Sequence, residues 1–384
     1  MRQLVLGFIT FTVLAPQFAW SVQRGQAQEL PKLSLVLTPH MKADSVDYVD
    51  VVMTIESSAA EANMPFLLPP MHLPFDASGP FSPLDLVVKD SLGVVPTGTG
   101  ASHDEDGNPA PITALRTMKG RVTVQYRAPT FAITKNPFPP YELRSEGSCI
   151  IGAGFGFLVI PAGKEVYRIK LHWNLAAMPA DSMGVWSFGE GDVTRVGMAD
   201  TLQRSFYAAG PLHHYSAGAF GLYFGNQPPF AISAIGEPTE KLFAYYKTFF
   251  HEDPDSYRVF FRDNRAIGSG SGAALMESFI FDYMATDPAF YRSHVAHEMA
   301  HTFLSLFEPV TGAWYAEGMA EYYSGVLSVR AGISTPDEFI AGVNFSASHY
   351  YPMPTRELPN AEIPDFVLGG TSQTKSVWRD QSAT

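Results

Sequence analysis

His297-Glu298-Met299-Ala300-His301, followed by Trp314-Tyr315-Ala316-Glu317-Gly318-Met319-Ala320-Glu321-Tyr322-Tyr323, is the stretch on which this 384-residue chain turns. Residues four apart on an α-helix lie one turn apart on the same face, so His297 and His301 can offer two imidazoles to one ion. H-E-x-x-H on a helix is the spacing by which zinc hydrolases hold metal, with the enclosed glutamate as general base. Glu298 lies one residue round the helix, beside the metal without having to ligate it. A catalytic zinc takes three protein ligands and leaves a position for water. Pro309 and Gly312 interrupt the chain before Ala313, so a second helix can run back past the first and bring Glu317 to the ion. Glu321 shares the face of Glu317 and is assigned the hydrogen bond that fixes a ligand imidazole's tautomer. The alternative, Glu321 as ligand and Glu317 in support, stays open. His294, three residues before His297, reads as a polar neighbour and not as a fourth ligand.

Outward from this pair the chain reads as helical from Pro238, over Thr239 to Phe250, Pro288 to Leu306, and Ala313 to about Ala331, where Gly332 can end the helix. Thr335-Pro336-Asp337-Glu338 is a helix start, with Thr as N-cap, Pro at the first helical position and Glu three residues after the cap. Tyr257-Arg258-Val259-Phe260-Phe261 reads as a strand. From about Leu33 to Leu175 the texture is β: Leu33 to Leu37, Val49 to Ile55, Arg121 to Tyr126 and Tyr167 to Trp173 alternate or are β-branched, separated by Pro- and Gly-rich loops. Such short strands predict an antiparallel sandwich or similar assembly. The fold class is therefore α+β. Residues 1–27 form a leader, 28–220 a β-rich N-terminal domain, and 221–384 the metal-bearing domain.

The leader has Arg2 ahead of an apolar run, Leu4 to Ala19, broken by Pro16, with small residues at Ala19 and Ser21 or Gly25 and Ala27 as cleavage sites. A membrane span needs about 20 apolar residues, so no stable span is expected after signal removal; a retained anchor is the alternative. This predicts a secreted or periplasmic protein. The lone Cys149 cannot form an internal disulfide, so the core must hold the fold. An excess of 38 Asp and Glu over 26 Lys and Arg argues against a nucleic-acid partner, which calls for a basic footprint.

The two quoted runs resemble the gluzincin metallopeptidases, and most closely the glycyl aminopeptidase family, a relative of aminopeptidase N and leukotriene hydrolase. Its members carry a similar aromatic-x-Ala-Glu-Gly-x-x-x-Tyr-Tyr run. The resemblance implies His297, His301 and Glu317 as ligands of Zn2+, Glu298 as base, and a thermolysin-like peptidase domain behind an N-terminal antiparallel β domain. Upstream, Gly268-Ser269-Gly270-Ser271-Gly272-Ala273-Ala274-Leu275-Met276-Glu277-Ser278 resembles the wall of the substrate groove in this clan, whose glutamate, here Glu277, recognises a free substrate amine. Read without the family, glycines such as Gly272 let an extended peptide approach the backbone, as in strand addition to a sheet edge. The plain alternative is a flexible loop. Family members place an oxyanion-binding tyrosine well downstream of the second helix. Tyr350 and Tyr351, the tyrosines after Tyr323, do not fit that role, so against the family the chain reads as C-terminally truncated. The function expected is that of an exported zinc metallopeptidase, an aminopeptidase acting on a peptide or protein substrate. The contrasting expectation is a catalytically impaired, zinc-binding peptide binder of the same fold.

Overall fold

Alternation decides the first strands. Along Lys32–Lys42 and Ser45–Ile55, Leu33, Leu35 and Leu37 and then Val49, Val51, Met53 and Ile55 are buried while their neighbours are not. That period of two is what a sheet with one covered face requires. The computed structural model describes residues 29–56, 62–63, 65–70, 84–99, 110–132, 140–304, 313–354, 356–357 and 359. The leader, the Pro309-to-Gly312 turn and the C-terminal segment lie outside the described residues.

The architecture is mixed α and β. A seven-stranded sheet runs in the order Val193–Met198, Val166–Trp173, Lys32–Lys42, Ser45–Ile55, Val122–Pro129, Leu84–Asp90, Gly93–Val94. Its pairings are antiparallel except that Lys32–Lys42 lies parallel to Val166–Trp173. The purely antiparallel expectation is corrected at that pair: the two strands are far apart in sequence, so no hairpin dictates their sense and the intervening strands form the crossover. A five-stranded sheet (Gly189–Glu190, Met183–Trp186, Phe206–Gly210, Cys149–Ala153, Arg144–Glu146) and a small four-stranded sheet complete this part.

The last sheet carries the helices. Its order is His213–Ala217, Phe220–Phe224, Tyr257–Asp263, Ser278–Tyr283, Ser271–Leu275, with the three central strands parallel and an antiparallel strand at each edge. The central strands are almost wholly buried and apolar, as parallel strands covered on both faces must be. On one face Tyr223, Phe260 and Ile280 pack with Ile151, Val185 and Phe206 of the five-stranded sheet. On the other, Leu222, Val259, Phe279 and Phe281 pack with Leu242, Phe243, Val295 and Met299 of the helices.

The helices are Ser233–Phe250, Arg292–Leu304, Ala313–Arg330 and Pro336–Tyr350. The first starts before Pro238, which the sequence reading takes as its edge. Proline there removes a single amide from the second turn, and Thr239 Oγ1 donates to the Ile235 carbonyl at 2.7 Å. The second is preceded by a 3-10 turn, Pro288–Tyr291, whose N-cap Asp287 accepts from the Ala289 amide. The fourth starts with a full capping box between Thr335 and Glu338. Among the described residues, no helix is long and apolar enough to cross a membrane.

Candidate metal centre

Helix Arg292–Leu304 lies on its sheet through Val295, Ala296, Met299 and Ala300, all buried, which turns His297, Glu298 and His301 away from the deepest contact. Two tyrosines fix its height: Tyr246 Oη donates to the Ala296 carbonyl at 3.2 Å, and Tyr257 Oη lies 2.8 Å from Thr302 Oγ1. The helix Ala313–Arg330 returns alongside. Its buried Ala316 and Ala320 leave room for close approach, and Ala320 shares a cluster with Ala296 and Ala300.

That approach brings three ligand atoms together. His297 Nε2 lies 3.0 Å from His301 Nε2 and 3.2 Å from Glu317 Oε2, and His301 Nε2 lies 3.4 Å from the same oxygen. Ligands held about 2.0–2.1 Å from a tetrahedral zinc stand about 3.3 Å apart, so this triangle has the size of one face of such a site. Two imidazole nitrogens and a carboxylate are also the donor set that zinc takes. Glu321 Oε2 lies 3.2 Å from His297 Nδ1, where it accepts that N–H and so keeps Nε2 turned toward Glu317 and His301. His294 stands apart from the triangle: its ring packs on Phe281 and Phe290, and its Nδ1 lies 3.2 Å from the Phe290 carbonyl.

The electrostatics separate the two glutamates. Burial raises the carboxyl of Glu298 above its ordinary value, with His297 and His301 opposing and Glu317 adding to the rise. For Glu317 burial works the same way but is outweighed by hydrogen bonds from His297 and His301, which hold it well below the usual range. For His297, burial disfavours the cation, yet Glu317 and Glu321 lift it to about 10. Between the two imidazoles Glu317 is held as the anion, while burial favours the protonated form of Glu298.

Gly268 to Ser278 forms an edge strand, Ser271–Leu275, in place of the loop that the sequence also allowed. Gly272 faces Glu298 so closely that a Cβ there would fall 2.5 Å from Glu298 Cδ and 2.8 Å from Cγ. Glu277 sits in the turn that follows, with φ of 50°, and its carboxylate is taken by Arg195 at 2.6 and 3.1 Å. Sequence reasoning missed Arg195, a half-buried strand arginine with no motif around it. It missed Tyr141 too. Burial raises that phenol's pKa and the charge of Glu298 adds to the rise, while its ring packs on Phe155 and Phe206.

No protein-family model matches the chain, and no curated protein matches it by sequence. Among solved structures, it is similar to an aminopeptidase N family protein from Idiomarina loihiensis (TM-score 0.59, 15% identity, covering 83% of this chain and 58% of that one). It is also similar to native yeast LTA4 hydrolase (0.50, 12%, 84% and 52%) and to a mutant M1 zinc metallopeptidase from Deinococcus radiodurans (0.51, 12%, 93% and 91%). The chain spans little more than half the length of the first two and nearly all of the third. At such identities the likeness is one of fold: this chain has the fold of zinc metallopeptidases of the aminopeptidase N and LTA4 hydrolase type.

Proposed function

We propose that the chain is an exported, zinc-dependent metallopeptidase that hydrolyses peptide bonds, with His297, His301 and Glu317 holding the metal and Glu298 as general base. One observation carries the reading: a zinc-sized His-His-Glu triangle stands beside a raised-pKa carboxylate that touches the open edge strand of a sheet. On this reading 221–384 is the thermolysin-like catalytic domain, 28–220 the β domain, and 1–27 an export signal.

When bound, zinc supplies Lewis-acid polarisation of the scissile carbonyl and makes water a better nucleophile near neutral pH. The chain's residues supply the rest. An extended peptide can add to the free edge of Ser271–Leu275 by main-chain hydrogen bonds, and Gly272, lacking a side chain, leaves its backbone open beside Glu298. The Glu298 carboxylate takes a proton from the attacking water and hands it to the leaving amine. Glu321 holds the His297 ring and tautomer. The aminopeptidase reading rests on Glu277 as an amine anchor. That carboxylate is engaged by Arg195, so the proposal stops at peptide-bond hydrolysis and requires no free N-terminus.

The test is a cleavage assay on a peptide library with zinc content measured on the same sample. Chelator-sensitive cleavage, lost in Glu298→Gln while zinc is retained, is the expected result. Undiminished turnover in that variant refutes the mechanism. Zinc retained without any cleavage would instead favour a peptide binder of this fold.

A further inference from the structure

We propose that Asn264 is a positioning residue for the substrate: its carboxamide ties the start of edge strand Ser271–Leu275 to Arg144 of the five-stranded sheet, so that an extended peptide meets a strand already ordered against Glu298. This inference rests on the peptidase reading above and concerns how the same site holds its substrate.

Ser271–Leu275 has a neighbouring strand, Ser278–Tyr283, on one side only. A strand of five residues held by a single ladder frays at its ends unless contacts beyond the ladder fix them. Here both ends are fixed. Past Leu275, the Met276 amide donates to the Arg204 carbonyl at 3.1 Å. Before Ser271, the chain leaves Tyr257–Asp263 through residues 264–270, and of these Asn264 alone is buried. Arg265 to Gly268 turn in solvent, with Gly268 at a φ of 72°, so they cannot place the strand by packing. Asn264 places it by hydrogen bonding. Its backbone carbonyl accepts from the Ile267 and Gly268 amides, both at 3.0 Å, which closes the turn. Its Nδ2 donates to the Ser269 carbonyl at 2.6 Å, and its Oδ1 accepts from Arg144 Nη1 at 3.3 Å.

The residue type follows from these partners. A guanidinium can only donate and a carbonyl can only accept, so the bridge between them needs an acceptor and a donor on one short planar group. A carboxamide has both; an aspartate lacks the donor and a leucine lacks both. Arg144 is itself immobile, 1% exposed, with Nη2 donating to Glu146 at 2.9 Å and to Asp282 at 3.4 Å. Asp282 stands opposite Ser271 in the ladder, so one guanidinium braces both strands of the hairpin. Ser269 is three residues from Gly272, the position against Glu298, and the tie at Met276 is four residues away on the other side. The Asn264 tie is the nearer one to the base. A peptide that adds to this edge by main-chain hydrogen bonds does not have to order it first, and it binds more tightly by the ordering cost avoided.

The experiment compares the zinc-loaded full chain with and without Asn264→Leu. Hydrogen exchange of segment 270–275 is followed by mass spectrometry, and KM and kcat are measured on a peptide that the unmodified chain cuts. Tyr126→Phe is the control for stability alone: Tyr126 is buried in the seven-stranded sheet, where its Oη donates to the Phe157 carbonyl at 3.0 Å and accepts from the Val159 amide at 2.9 Å. In Asn264→Leu, exchange in 270–275 is expected to quicken about tenfold or more and KM to rise about tenfold, with kcat within about threefold. Tyr126→Phe is expected to move none of the three. Unchanged exchange in Asn264→Leu overturns the inference. So does faster exchange with KM unmoved, since the tie then orders the strand without serving the substrate. A KM that rises equally in Tyr126→Phe overturns it as well. If Asn264→Leu does not fold, Asn264→Ser, whose single hydroxyl is too short to span from Arg144 to Ser269, is read by the same criteria. All of these results leave the peptidase reading intact. An unmodified chain that cuts no peptide, and whose Glu298→Gln variant retains none, fails that reading, and this inference falls with it.

Discussion

A single methyl group at Gly272 should silence the site without unfolding the protein. A Cβ built there lies 2.5 Å from Cδ and 2.8 Å from Cγ of Glu298, and still nearer to Oε1. Non-bonded carbons prefer about 3.5–4.0 Å, so the carboxyl group must retreat by about 1 Å. The obstacle is the far end of a flexible side chain, and the φ of Gly272 is not in the left-handed region, so the backbone can accept alanine. Alanine there should even gain about 0.4–1 kcal/mol by restricting the unfolded chain. A misplacement of about 1 Å in a catalytic group costs about 100-fold, or about 2.7 kcal/mol of barrier. Gly272→Ala should therefore keep its zinc and lose nothing in melting temperature while kcat/KM on a cleavable peptide falls about 100-fold. Gly318→Ala is the matched control: it neighbours Glu317, a Cβ there meets nothing within 4 Å, and stability should rise by about 0.5–1 kcal/mol with activity unchanged. If folded, zinc-loaded Gly272→Ala cleaves within about threefold of the unmodified chain, the position of the Glu298 carboxyl does not govern turnover and the assignment of the base fails.

Other perturbations test other parts. Glu317→Gln should abolish zinc retention, whereas Glu321→Gln, which only weakens the hold on His297 Nδ1, should lower zinc affinity about 10–100-fold in a chelator competition; the reverse order would exchange the two roles. Arg262 is fully buried and bridges Asp282 at 2.6 and 3.0 Å and Glu142 at 2.9 Å, so Arg262→Met strands two carboxylates and should cost about 3–5 kcal/mol in denaturant unfolding. A loss below about 1 kcal/mol would show that water reaches this cluster. In the same cluster burial pushes Glu146 up to about 7, against Arg144 and Arg262 and helped by Asp282. A carboxyl raised in the folded state contributes its stability below the ordinary value near 4.5 and loses it as pH climbs through 7. Denaturant midpoints should therefore fall between pH 5 and pH 8, and fall less in Glu146→Gln; equal slopes in the two proteins would rule this group out.

What the sequence made legible follows from how local each signal is. The helices at 292–304 and 313–330, and the capping box at Thr335, rest on spacings of three and four residues, which the chain displays directly. Ser271–Leu275 is harder. Five small or aliphatic residues with no alternation are a strand only because Ser278 to Asp282 lie opposite them, and that pairing fixes Gly272 against Glu298. The charged cluster of Glu142, Arg144, Glu146, Arg262 and Asp282 sits in strand and loop sequences that read as exposed, yet it is buried between two sheets because each charge meets its opposite there. Arg195 shows the limit most sharply. Along Val193–Met198 it is one more polar residue on an alternating strand, and nothing within reach of a sequence window connects it to Glu277. A motif can state which residue types a site contains. Whether a motif carboxylate is free to bind substrate depends on a counter-charge delivered by another sheet, and for Glu277 that counter-charge is Arg195.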